Sequence, residues 1–114
     1  MQLHLKRVHF GMAPAGSALA FKVESAAGAA VKAALDCDSK EIATWEWADL
    51  RDGQSIEHTL ADEGTYTLTV MVPFTAPAAG TANLVVSIND KQKTITLTGQ
   101  QPDIGKALAA VIVK

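Results

Sequence analysis

Residues 44–70, TWEWADLRDGQSIEHTLADEGTYTLTV, constrain the fold of this chain more than any other stretch. Trp45 and Trp47 stand two apart. They are followed by the turn pair Asp52-Gly53, a short polar strand, and then Asp62-Glu63-Gly64-Thr65-Tyr66-Thr67-Leu68. Side chains at alternate positions of a strand share a face. Tyr66, Leu68, Val70 and Val72 therefore point one way, and Thr65, Thr67, Thr69 and Met71 the other. An aromatic strand, a turn, a polar strand, a glycine and a tyrosine-led strand are, in that order, the parts of a small two-sheet β-sandwich.

The same alternation recurs along the chain with turn signals between the runs. Leu3 and Leu5 open a first strand. Its apolar face then passes to Val8 and Phe10, which predicts a bulge near Lys6–Arg7. Residues 12–17 (MAPAGS) read as a loop. Leu19, Phe21 and Val23 give the inward face of a second strand, Ala26–Gly28 a turn, and Val31, Ala33 and Leu35 a third strand. After a polar corner at residues 36–41, Ala43, Trp45 and Trp47 share a face of a fourth. Ile56, His58 and Leu60 form a fifth. Pro73 ends the Tyr66 strand, because proline cannot donate to the ladder. Leu84, Val86 and Ile88 pair with Ile95 and Leu97 as a hairpin around Asn89–Gln92. The β-branched Val111-Ile112-Val113 makes the tail a last strand. The expectation is one all-β domain over residues 1–114, an immunoglobulin-like two-sheet antiparallel sandwich of eight or nine strands.

Tyr66, after Asp62 and Gly64 and two residues before the core position Leu68, resembles the tyrosine corner of immunoglobulin-like sandwiches. The spacing is similar to that of PKD (polycystic-kidney-disease type) domains. Trp45-Glu46-Trp47-Ala48-Asp49 resembles that family's aromatic-acidic strand, and His58, Leu60, Gly64 and Tyr66 keep the spacing of its second motif. The resemblance covers about residues 17–97. It departs where the family's Gly-Asp-Gly becomes Ala48-Asp49-Leu50-Arg51-Asp52-Gly53, and where Leu60 replaces an aromatic. The first strand and the last one lie outside the pattern. The resemblance implies a non-catalytic module for adhesion, spacing or binding, with a protein or carbohydrate partner.

Composition excludes several classes. With 48% hydrophobic residues, 19% charged residues and a net charge of −2, the chain is far from the disordered class. Its ten Lys and Arg are scattered, so no basic run points to nucleic acid. No apolar stretch reaches membrane-spanning length, so no membrane insertion is expected. The single cysteine, Cys37, cannot close an internal disulfide. Residues 1–12 carry no apolar run after their basic residues and do not read as a secretory signal. A chain beginning at Met1 fits the cytoplasm; a domain cut from a larger exported protein fits the cell surface.

The candidate chemistry is thin. No nucleophile elbow, zinc spacing or phosphate loop occurs, and no enzyme, cofactor or metal is expected. Asp36, Asp38 and Glu41 have calcium-type chemistry but lack the glycine and distant bidentate glutamate of a calcium loop. They read, with Asp49 and Asp52, as turn carboxylates. His4, His9 and Met12 lack the spacing of a copper site. His58, between Ile56 and Leu60, reads as a structural histidine, and Trp45 and Trp47 as core rather than sugar platforms. The loop Phe74-Thr75-Ala76-Pro77-Ala78-Ala79-Gly80 has an aromatic, a proline and no charge. Phe74 and Pro77 are therefore the candidate partner contacts; the alternative is that Phe74 folds back to cap the core. Beside the binding module stands a second reading, a small structural subunit of a bacterial or phage assembly, self-associating through strand edges and that loop.

Overall fold

The computed structural model describes residues 1–25, 31–50 and 53–114. Nine strands lie among them: β1 (Leu3–Ala13), β2 (Ser17–Ser25), β3 (Lys32–Cys37), β4 (Lys40–Trp45), β5 (Ile56–Leu60), β6 (Gly64–Pro73), β7 (Gly80–Ile88), β8 (Lys91–Gly99) and β9 (Ile104–Val113). One helical turn, Trp47–Leu50, follows β4. The strands form a five-stranded sheet of order β1-β9-β6-β3-β4 and a four-stranded sheet of order β5-β2-β7-β8. Every pairing is antiparallel except β1 with β9. The all-β sandwich expected from the alternation is the fold found.

One core lies between the sheets. Phe21, Val23, Leu84, Val86, Ile95 and Leu97 enter it from the four-stranded sheet, and Leu35, Tyr66, Leu68, Val70, Ala107 and Val111 from the other. In β6 the buried residues are Tyr66, Leu68, Val70 and Val72, while the threonines face out. The tyrosine corner is present. The Tyr66 hydroxyl donates to the Asp62 carbonyl at 2.8 Å, with the residue only 4% exposed. Burial raises the pKa of that hydroxyl, and a hydrogen bond with Cys37 raises it further.

The strands outside the PKD-like pattern belong to the sandwich. β9 sits between β1 and β6, so the tail is an inner strand. Here the structure corrects the sequence reading of β1. The parity does not slip at Lys6–Arg7: the register shift falls between His9 and Met12, at Gly11 with φ 72°, a conformation glycine adopts without penalty. Up to that point His4, Val8 and Phe10 face in, while Leu3 and Leu5 are 56% and 51% exposed. The loop expected over residues 12–17 is shorter, since β1 runs to Ala13 and β2 starts at Ser17.

Three turns have local causes. Asp38 and Ser39 both take positive φ (50° and 68°), as a two-residue type I′ hairpin turn requires. The Asp38 carboxylate accepts from the Thr65 amide at 2.9 Å. Asn89, φ 53°, turns β7 into β8, and its side-chain oxygen accepts from the Ala18 amide at 3.0 Å. Asp49 accepts from the Glu46 amide at 3.1 Å, the back-reaching half of a capping box. Trp47 lies in the helical turn, not on a strand face beside Trp45; its side chain, the Ala26–Gly28 turn and Asp52 lie outside the described residues.

The sandwich is open on both sides. Between β1 and β8, Lys93 Nζ donates to the His9 carbonyl at 2.6 Å and lies 5.5 Å from the centre of the Phe10 ring. Between β4 and β5, half-buried Trp45 packs edge-on against Phe21 (5.0 Å between centroids) and His58 (6.1 Å).

Candidate interaction surface

The loop singled out from the sequence divides. Phe74 is 4% exposed. A methyl group built on Gly99 would sit 2.8 Å from its ring, and one on Gly105 would sit 3.1 Å away. The ring therefore fills a slot that only glycines leave open, with the His4 imidazole edge-on at 6.2 Å. Phe74 caps the core, which leaves little of its ring exposed. Pro77 stays exposed at the loop tip. The loop and Gly99 border a shallow pocket of about 210 Å3.

The same end of the molecule is tied by Asp103. Its carboxylate bonds His4 Nε2 at 2.9 Å and accepts from the Gln2 amide at 3.1 Å. The His4 hydrogen bond holds the Asp103 carboxyl below the usual aspartate range, with the Gln100 and Gln2 amides acting the same way. This clasp fastens the start of β1 to the connection between β8 and β9. It uses His4 as a structural partner. The other sequence candidates remain apart: among the described residues no three His, Cys, Asp or Glu side chains are grouped to hold a metal ion. His58 faces inward against Trp45.

The largest anomaly is a face. Register places Leu3, Ile104 and Pro73 in one row across the outside of the five-stranded sheet. Leu5, Lys106, Met71 and Lys32 form the next row, and Arg7, Leu108, Thr69, Ala34 and Thr44 the third. His9, Ala110, Thr67, Asp36 and Glu41 follow, then Met12, Ile112 and Thr65. Leu3, Leu5, Met12, Met71 and Ile112 on this face are between 41% and 63% exposed. The remaining exposed large apolar residues among those described are Met1 and Ile42, in front of β1 and in β4. None belongs to the four-stranded sheet. At the β3–β4–β6 end, Ala34, Thr44, Trp45, Thr69 and Met71 line a depression of about 230 Å3.

Single exposed apolar residues are ordinary; apolar side chains gathered on one face mark an interaction site, and here they are interspersed with Arg7, Lys32, Lys106 and Asp36. The signal for it was in the sequence. Residues 107–113, ALAAVIV, are apolar at every position, the mark of a strand covered on both faces. Inner Ala107, Ala109, Val111 and Val113 meet the core, which leaves Leu108, Ala110 and Ile112 for something else. Sequence reasoning used the run only to choose strand over helix. No family model, curated protein or solved structure matches this chain significantly.

Proposed function

We propose that this chain is a non-catalytic interaction module, of the binding, adhesion or spacer kind that PKD-like domains supply, working through the outer face of its five-stranded sheet. The observation that carries the reading is the one-sided distribution of exposed apolar side chains, Leu3, Leu5, Met12, Met71 and Ile112. Water penalises each of them, and a partner that covers the face removes that penalty. The tyrosine corner at Tyr66 supports the immunoglobulin-like affinity on which the PKD-like reading rests. The second reading, a small structural subunit of an assembly, is favoured by the same face, because subunits of assemblies carry extended apolar surfaces that their neighbours cover.

A photo-reactive amino acid placed at Leu5 in the protein in its own cells tests the reading, with Thr94 on the opposite outer face as the control. A covalent protein adduct from position 5 and none from position 94 is the expected result. Equal labelling from both positions, or none from position 5, overturns it.

A further inference from the structure

We infer that the occupant of this face is a second copy of the same chain, seated through a two-fold axis that runs across the strands at the level of Leu108. The inference rests on the interaction-module reading and adds the identity of the partner.

Size permits it. Strands spaced about 4.8 Å apart and rising about 3.3 Å per residue give the face on the order of 700 Å2. That is within the per-partner range of a standard stable interface, about 600–1,000 Å2.

The pattern of side chains selects the operator. Two sheets can meet face to face through a two-fold axis along the strands or across them. An axis along the strands keeps each row on itself and exchanges β9 with β3. It sets Lys106 over the partner's Lys32 and Leu5 over Glu46, just past β4, and on the outer strands it sets His9 over Glu41. Like charges held opposite one another cost free energy. An axis across the strands keeps each strand on its own copy and inverts the rows. Leu3 then lies over Met12, Ile104 over Ile112, and Leu108 over itself, so the two end rows meet as apolar pairs, while in the rows between them Leu5 lies over His9 and Lys106 over Ala110. Lys32 lies over Asp36, twice, by symmetry. Within one chain these two residues stand four apart on β3 and so about 13 Å apart, too far for contact. Arg7 then lies over the partner's Arg7 and Glu41 over the partner's Glu46, like charges that fall on the outer strands, at the rim, where water and salt screen them. Glu46, also at the rim, is 3.9 Å from Lys32 within its own chain.

Light scattering on the purified chain tests the inference. The expected result is a mass of two chains at micromolar concentration. Ile112→Glu is expected to give the single-chain mass with an unchanged circular-dichroism spectrum. Lys32→Glu and Asp36→Lys should each raise the dimer dissociation constant at least tenfold. The double exchange, Lys32→Glu with Asp36→Lys, should restore it to within about threefold of the parent. Both positions are on the surface, so the charge variants serve even where Ile112→Glu fails to fold. A single-chain mass up to millimolar concentration overturns the inference, as does a dimer that the double exchange does not restore. The two levels of the proposal fail differently. Crosslinking from position 5 to a protein other than this chain, together with a monomer in light scattering, removes the second copy and keeps the interaction face. No crosslink removes both.

Discussion

The two outer faces of this sandwich are built on the same strand geometry and end up chemically opposite. Outside the four-stranded sheet, the register sets Asn83 against Thr96 and Val85 against Thr94. Thr96 Oγ1 donates to Asn83 Oδ1 at 2.7 Å, and Lys22 pairs with Glu24 at 3.1 Å. Those polar groups find their partners within the chain. The outer face of the five-stranded sheet sets Leu3 against Ile104 and Met12 against Ile112, with Asp36, Thr67 and Glu41 in one of the rows between them. Both faces are compatible with a folded monomer, because each is the side turned away from the core. Folding alone therefore does not account for the difference. On the proposed reading, what separates the faces is what covers them.

The edges follow the same logic. Lys91 and Lys93 stand on the free edge strand β8, and Lys6 and Arg7 on β1. Charged residues on edge strands resist edge-to-edge pairing.

The comparison breaks most directly at Phe74, the rival contact site. Phe74→Ser should destabilise the fold by about 3 kcal/mol, since it empties a buried aromatic slot between Gly99 and Gly105, and association measured on the remaining folded protein should be unchanged. Loss of association at full stability would move the contact surface from the sheet face to the loop. Chemical denaturation and light scattering on the same sample read both quantities. A smaller effect is expected at the tyrosine corner. Tyr66→Phe leaves the ring in the core and deletes one hydrogen bond to the Asp62 carbonyl, a loss of about 1 kcal/mol. A midpoint unchanged in urea would mean that the corner does not help to hold β6, the strand that carries Met71 to the outer face.

The Asp103 clasp fixes where β1 begins and so where Leu3 and Leu5 sit. Its carboxyl has a lowered pKa in the folded protein. A depressed folded pKa adds stability above the unfolded value, near ~3.9 for aspartate, and that stability is lost as the pH falls through this value toward the lower folded one. Asp103→Asn should therefore lower the melting temperature at neutral pH. The gap to the parent should shrink in melts at progressively lower pH below about 4. A gap that stays constant across that range would assign the loss to packing and not to the charge.

Much of this was legible in the sequence because period-2 alternation is a local signal. β6, β7 and β8 announce their inward faces residue by residue, and the position of Tyr66 after Gly64 announces its hydrogen bond. For Phe74 the sequence left capping and partner contact both open, because its slot is made by Gly99 and Gly105, far along the chain. Leu3 and Leu5 were misread for a physical reason. Assigning apolar residues to the inside assumes that a strand turns only polar side chains outward, and β1 turns Leu3 and Leu5 outward. With the leucines taken as inward, the parity of Val8 and Phe10 demanded a bulge at Lys6–Arg7. The bulge exists four or five residues later, at Gly11, where the backbone and not the side-chain pattern marks it.

The smallest effect expected is also the one that separates the two readings of β1 most sharply. Leu5→Thr keeps a β-compatible side chain and removes apolar surface. If Leu5 faced the core, the change would bury a hydroxyl and lose packing, and would cost about 2–3 kcal/mol. Leu5 is instead 51% exposed, so the change should shift stability by no more than about 0.5 kcal/mol. It gives this row of the five-stranded face the threonine chemistry of the four-stranded one. Association should weaken while the denaturation midpoint of the monomer, measured at a concentration below that of association, stays in place. Thr94→Leu is the reciprocal change, and it should leave both quantities where they were, because one more apolar residue beside Val85 makes no patch. Should Thr94→Leu strengthen association as much as Leu5→Thr weakens it, general stickiness would replace a specific face as the cause of the asymmetry.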